Sequence, residues 1–310
     1  MQILEMTGTL TPNGTLTGEI TAGGGGGGGT DNLPAVVFGT NTTPTINCPD
    51  AEHKTFKGLF ALTEVTLPDA TEIAASAFAN FTALQKVTAP EVITVGQQAF
   101  YSCGSLTDVS LPKCVTVGRQ AFNNAFSNGA QVSLSLPECT TISDEAFSGA
   151  KMTALLCPKV TTVGRNIIRG TSITSISLPL VTALPERALQ NADRCVTVNL
   201  PNCETIGESA LDSMALTDID LPKVRSIGKN TFDNNEGLHH VRFGYDGVVA
   251  LPTLEYEWDN YNLFAWRVGS VTIHVPAGQL ANYQADTKWQ KVVAEGTEHG
   301  YTVTFVGDYA

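Results

Sequence analysis

Residues 106–122 read Leu-Thr-Asp-Val-Ser-Leu-Pro-Lys-Cys-Val-Thr-Val-Gly-Arg-Gln-Ala-Phe, and this stretch decides the fold. It is one copy of a unit repeated along most of the chain. Its proline recurs at Pro68, Pro90, Pro112, Pro137, Pro158, Pro179, Pro201 and Pro222, at intervals of 22, 22, 25, 21, 21, 22 and 21 residues. Ten residues after each proline stands a large apolar residue: Phe78, Phe100, Phe122, Phe147, Ile168, Leu189, Leu211, Phe232. Five residues after it stands Ile73, Val95, Val117, Ile142, Val163, Leu184, Ile206 or Ile227. Agreement at both offsets in every unit marks a repeat protein.

Ahead of each proline runs apolar-x-x-apolar-x-apolar, as in Leu62, Val65, Leu67 and Leu216, Ile219, Leu221. The last two positions alternate as a strand with one buried face requires. Proline ends that strand because it has no N–H to give. Two residues after each proline comes a small or apolar side chain: Ala70, Val92, Cys114, Cys139, Val160, Val181, Cys203, Val224. Together these positions match Leu-x-x-Leu-x-Leu-x-x-Asn/Cys, the leucine-rich-repeat signature. The second half of the unit, Thr116-Val117-Gly118-Arg119-Gln120-Ala121-Phe122, reads as a Gly-centred turn followed by an apolar plug. No unit can bury its own apolar face, so neighbours must stack into one continuous core.

Val-Ser-Leu-Pro-Lys-Cys-Val-Thr-Val-Gly-Arg-Gln-Ala-Phe, residues 109–122, resembles the bacterial surface-antigen, BspA-like class of leucine-rich repeats, and the resemblance extends over about residues 45–245. It implies a curved solenoid with a parallel sheet on the concave side, and adhesion or protein recognition without chemistry. Ile168, Leu189 and Leu211 replace the phenylalanine of the pattern, and Ser143 and Pro185 replace its glycine. The expected fold is mostly β with short turns and helices, a solenoid of about nine or ten repeats of 21–25 residues, preceded by an N-terminal β-ribbon and glycine tether.

The ends follow other rules. Residues 1–20 lack the basic and apolar regions of a secretory signal. They hold sparse apolar points, Leu10, Leu16 and Ile20, around the turn signal Pro12-Asn13-Gly14, which suggests two short Thr-rich strands. Gly23–Gly29 is a run of seven glycines, a flexible tether. This Thr/Gly/Leu ribbon resembles the N-termini of phage virion proteins, which anchor a variable distal domain; the plain alternative is a leader without fixed structure. The expected division is an anchor and tether over 1–30, a cap over 31–48, the solenoid over 49–245, and an aromatic insertion, last repeat and closing cap over 246–310. Val271–Pro276 returns as a repeat strand, Gly278–Val293 has a helical pattern with Leu280, Tyr283 and Trp289 on roughly one side, and Thr302–Val306 supplies a last strand.

A net charge of −12 and a pI near 4.8 argue against a nucleic-acid partner, because no cationic face exists to release counterions. No apolar run approaches the ~18 residues of a membrane span. Six of the seven cysteines fall in apolar repeat positions, Cys103 falls in a turn, and no Cys-x-x-Cys occurs, so they read as buried structural thiols rather than disulfides or a zinc site. His239-His240 is the one histidine pair in sequence; neighbours on a strand point to opposite faces, so the two do not easily share a metal. Gly-x-Ser-x-Gly is absent and no Ser/His/Asp grouping stands out. The expectation is no enzyme, no cofactor and no metal.

What remains is recognition. The candidate ligand-binding residues are the aromatics Tyr256, Trp258, Tyr261 and Trp266 of the insertion, then His239, His240, Arg242, Asp108 and Lys86 on the outward face of the strands. The aromatics serve equally as a plug closing the core. The expected partners are a protein or glycan on a host or bacterial cell surface, other virion proteins through residues 1–30, and a second copy in a homo-oligomer. The expected location is a virion surface or a cell surface, as a phage structural or receptor-binding protein or, alternatively, a bacterial cell-surface adhesin.

Overall fold

A computed structural model describes residues 63–128, 132–244, 251–255, 263–264 and 269–308 in full, and the backbone alone of 4–10, 16–22, 36–37 and 309. The protein is a mostly β leucine-rich-repeat solenoid of stacked parallel ladders. The chain divides into two compact units, Met1–Cys157 and Pro158–Ala310.

In the first unit each repeat contributes two strands. Glu64–Thr66, Lys86–Thr88 and Asp108–Ser110 form one parallel ladder with Val65, Val87 and Val109 side by side, and Val132–Ser135 lies parallel to Met152–Leu156. Glu72–Ile73, Thr94–Val95, Thr116–Val117 and Thr141–Ile142 form a second. The residue before the proline still donates to the neighbouring repeat at Leu67, Ala89 and Leu136, as Leu67 N–H does to Thr88 O at 2.8 Å, and the ladder then ends at the imide. Between the ladders lies the core. Val65, Leu67, Ala70, Ile73, Phe78 and their counterparts are buried, with Val109 only partly so.

The plug position makes a column of rings. Phe78, Phe100, Phe122 and Phe147 stack with centroids 5.4, 5.1 and 5.5 Å apart. Phe126 joins Phe122 at 5.8 Å.

The turn between the ladders holds a feature that composition conceals. Ser76, Gln98, Gln120, Glu145, Asn166, Arg187, Ser209 and Asn230 all have φ near +55°, and each lies eight residues after its proline. Asn80, Ser102, Asn124, Gly149, Gly170, Asn191, Ser213 and Asn234, twelve residues after it, are left-handed as well. Neighbouring turns hold this conformation: Ser76 N–H donates to Gln97 O, Gln98 N–H to Arg119 O and Gln120 N–H to Asp144 O, at 2.8, 2.9 and 3.0 Å.

The repeat glycine, six residues after the proline, has a different reason. A Cβ on Gly118 would sit 2.7 Å from the carbonyl carbon of Gly96 and 2.8 Å from Gln97 N, so the turns pack backbone to backbone. Gly118→Ala is expected to lower the unfolding free energy by about 1–3 kcal/mol, as overpacking does, whereas Gly104→Ala, whose Cβ would meet nothing nearer than 3.5 Å, should stay near the parent value in the same urea titration. Ser143 in place of glycine keeps the turn bond, N–H to Val117 O at 2.9 Å, whereas Pro185 has no N–H to give.

At the N-terminus, Leu4–Leu10 and Leu16–Ala22 form an antiparallel hairpin. Leu4 pairs in parallel with Val36, and Val36–Val37 pairs with Val65–Thr66. The hairpin therefore continues the first ladder. Pro12-Asn13-Gly14 and the glycine tether lie outside the described residues.

In the second unit Ser175–Ser177 pairs with Thr197–Asn199. Asp218–Leu221, His240–Phe243, Ser270–Pro276 and Thr302–Tyr309 form a parallel sheet. Ala183–Leu184, Thr205–Ile206, Ser226–Gly228 and Thr253–Glu255 run as the second ladder. Ile168, Leu189 and Leu211 fill the plug position, fully buried. The expected break after residue 245 is revised here. Thr253–Glu255 is a repeat strand with Leu254 buried, and Phe264 stacks on Phe232 at 5.5 Å, so the described part of the insertion carries the repeat forward at a longer sequence spacing.

The helical pattern near the end breaks in two. Asp286 (ψ 126°) separates α1, Leu280–Ala285, from α2, Thr287–Glu298, and its carboxylate caps α2 by accepting from Lys288 and Trp289 N–H. Tyr283, Trp289 and Val292 are buried, and Tyr283 and Trp289 stand 5.8 and 5.9 Å from Phe305 of the last strand. No helix among the described residues is long and apolar enough to cross a membrane.

Candidate functional site

One face of each strand ladder is spent on the core, and the other is open. Glu64, Lys86, Asp108, Ser110, Ser133 and Ser135 are exposed in the first unit; Ser175, Ser177, Thr197, Asn199, Asp218 and Asp220 are exposed in the second. Strand alternation alone produces this division. The in-register stacking of repeats then sets like positions side by side, and the charged ones pair.

Lys86 Nζ reaches Asp108 Oδ2 at 3.4 Å, so these two sequence candidates satisfy each other across neighbouring strands. Glu91–Lys113, Glu204–Arg225 and Glu208–Lys229 repeat the device elsewhere. Pairs this exposed contribute about 0–1 kcal/mol each.

The C-terminal sheet gathers more. Arg242 donates to Asp220 Oδ1 at 3.0 Å and lies 4.0 Å from Asp218. The hydrogen bond to Asp220 raises the guanidinium pKa further; partial burial opposes this, and the negative charges of Asp220, Asp218 and Asp308 reinforce it. His240 Nδ1 lies 2.9 Å from His274 Nε2. His274 Nδ1 lies 2.5 Å from Asp308 Oδ2. His239 is exposed, with Nδ1 3.4 Å from Ser270 O.

Sequence reasoning did not single out His274, Asp308, Asp218 or Asp220 as a group with the histidine pair. Alternation places His274 outward, between the buried Val271, Ile273 and Val275. Its closeness to His240 is unreadable, because the paired strands set His240 beside Thr272, 32 residues on (272 − 240), where the repeat interval is 21–25. Tyr256, Trp258, Tyr261 and Trp266 lie outside the described residues.

Of the thiols, Cys103, Cys114, Cys139, Cys157, Cys195 and Cys203 are free and buried. Burial pushes Cys103, Cys114 and Cys157 up to about 12 and Cys139, Cys195 and Cys203 up to about 11. A thiol with so little thiolate is a poor nucleophile. In the native state these six are expected to resist a maleimide, and all seven cysteines are expected to react after denaturation without reductant; fewer than seven would reveal a disulfide. Among the described residues no group of three or more His, Cys, Asp or Glu side chains is arranged to hold a metal ion.

Comparison with known proteins follows the same lines. No curated protein matches the chain. Among solved structures, a leucine-rich repeat protein from Eubacterium ventriosum is 18% identical with a TM-score of 0.41, covering 77% of this chain and 70% of its own. The pneumococcal vaccine antigen PcpA is 13% identical with a TM-score of 0.39, covering 99% and 97%. A leucine-rich cell surface protein from Faecalibacterium prausnitzii is 18% identical with a TM-score of 0.31, covering 78% and 88%. Residues 50–124 and 122–239 match the family described as BspA type Leucine rich repeat region, in six copies. Such proteins are typically non-enzymatic and found at the cell surface. With more than half its length matched, and with its prolines, plugs and paired strands in the register of the repeat, the chain belongs to the BspA-type leucine-rich repeat family.

Proposed function

We propose that this protein is a non-enzymatic recognition protein, displayed on a phage particle, that holds a protein or glycan of a bacterial surface on the outward face of its strand ladders. The observation that carries this reading is that face itself. It is a regular wall of hydroxyl, amide and paired charged groups, open to solvent, on a core that fixes every position. Many weak, evenly spaced hydrogen-bonding groups suit a repetitive ligand. The aromatics Tyr256, Trp258, Tyr261 and Trp266 add stacking surfaces for sugar rings at the C-terminal end. Residues 1–30 act as the anchor, a role supported by the likeness of the Thr/Gly/Leu ribbon to virion N-termini. A second reading, a bacterial cell-surface adhesin, is favoured by the family, whose members are typically cell-surface proteins.

Attachment of the labelled protein to bacterial cells tests the shared part. Arginine at Ser175, Ser177 and Thr197 together is expected to cut attachment by about tenfold or more, equivalent to ~1.4 kcal/mol, with the thermal midpoint unchanged. Unchanged attachment would remove the ladder face from the function. Deletion of residues 1–30 separates the two readings: a virion protein should be lost from purified particles. Particles that still carry the truncated chain would favour the adhesin.

A further inference from the structure

We propose that His240 and His274, with Asp308 behind them, form an open two-imidazole site for a first-row divalent transition metal on the outward face of the C-terminal sheet. The two ring nitrogens already converge, His240 Nδ1 on His274 Nε2 at 2.9 Å, with ring centroids 5.1 Å apart. The strands carrying them are in register, His240 beside Thr272 and Arg242 beside His274, so the backbone holds the two rings close.

Asp308 settles which nitrogen of His274 is available. Its carboxylate accepts from Nδ1 at 2.5 Å, so neutral His274 keeps its proton there and presents Nε2 as a lone pair. A carboxylate on the far nitrogen is the outer-shell arrangement that orients metal-bound histidines and raises their basicity. In the metal-free pair His240 Nδ1–H donates to the His274 Nε2 lone pair, and binding a metal requires the His240 proton on Nε2 so that Nδ1 becomes the second ligand. With metal–nitrogen bonds of about 2.0–2.1 Å, a tetrahedral angle puts the two nitrogens roughly 3.3 Å apart, so the rings need to part by only about 0.4 Å.

The surrounding charge favours a cation. Arg242 is taken up by Asp218 and Asp220, and Asp308 leaves three carboxylates against one guanidinium. No third protein ligand converges among the described residues, so water or a group from a partner completes the coordination shell. Imidazole donors select copper, nickel and zinc over magnesium and calcium. His239, against Ser270 O, takes no part.

The test uses the full chain with Zn²⁺ and, separately, Ni²⁺ in isothermal titration, alongside NMR of the imidazole protons. One equivalent is expected to bind, shifting the His240 and His274 ring signals. His240→Ala and His274→Ala should each weaken binding by about tenfold or more, and Asp308→Asn by about 10–100-fold as outer-shell changes do, while His239→Ala leaves it unchanged. All four variants are expected to keep the parent circular dichroism; one that does not is replaced by the Gln substitution at the same position. Absence of binding up to millimolar metal, equal binding by the His240 and His274 variants, or equal binding of Mg²⁺ would leave the pair as a plain hydrogen bond and overturn the proposal.

Discussion

Phe122→Ala is expected to lower the free energy of unfolding by about 3–5 kcal/mol, the cost of truncating a large aromatic in a packed core. Phe122 is fully buried, between Phe100 at 5.1 Å and Phe147 at 5.5 Å, with Phe126 at 5.8 Å. The turns around it are tied to one another, Phe100 N–H to Ala121 O and Phe122 N–H to Ala146 O at 2.7 Å each, so there is little slack for collapse and the cavity term stays large. Position matters too. In a solenoid the coupling runs between neighbours, so a hole inside the column weakens two interfaces at once. Phe122→Leu supplies the contrast. Leu189 and Leu211 fill the same place in other repeats, so the leucine variant is expected to lose less than about 1.5 kcal/mol. Denaturant unfolding of both variants measures the difference, and a neutral alanine variant would mean that the rings do not hold the stack together.

The column, the strand faces and the cysteine positions were legible because each depends on burial, and burial writes apolar residues at fixed intervals. Phe78, Ile73 and Ala70 announce their places, and all three are buried. The left-handed residues were not legible. Nothing in Gln98, Glu145 or Arg187 announces a positive φ; local preference points the other way, and hydrogen bonds from the next turn override it. The visible glycine is therefore easily misread. It stands at the close approach of two turns, while the strained positions lie two and six residues further on.

Periodicity failed where spacing changed. Phe264 is the plug of its repeat, yet it stands ten residues after Leu254 where Phe232 stands five after Ile227. The longer spacing therefore reads as an insertion. The same lengthening hid the histidine pair, since the pattern shows that His240 and His274 face outward but not that they are neighbours. The break at Asp286 was equally hidden: the apolar residues on both sides keep a helical pattern, and only the cap to Lys288 and Trp289 N–H reveals a second helix start.

Alkaline pH is expected to unfold the protein through its buried thiols. Each described cysteine has an ordinary pKa of 9.0 when the chain is unfolded and is pushed by burial to about 11 or 12 when it is folded. The folded state therefore holds its thiol protons to higher pH than the unfolded state does. Below pH 9 both states keep them and the full stability is present; as pH rises from 9 towards 11–12 only the unfolded chain releases them, and stability falls. At pH 10 the loss is about 1.4 kcal/mol per thiol, or roughly 8 kcal/mol for the six, comparable with the ~5–15 kcal/mol that holds a whole domain together. The repeat supplies its own control. Val92, Val160, Val181 and Val224 occupy the slot of Cys114, Cys139 and Cys203, so valine at those three positions should fit, losing only the weak thiol bonds to Thr116, Thr141 and Thr205 carbonyls. The triple variant is expected to match the parent near neutrality and to lose stability about half as steeply between pH 9 and 11 in urea titrations. If parent and variant lose stability with the same slope, the alkaline limb belongs to other groups and the thiols are not what links folding to pH.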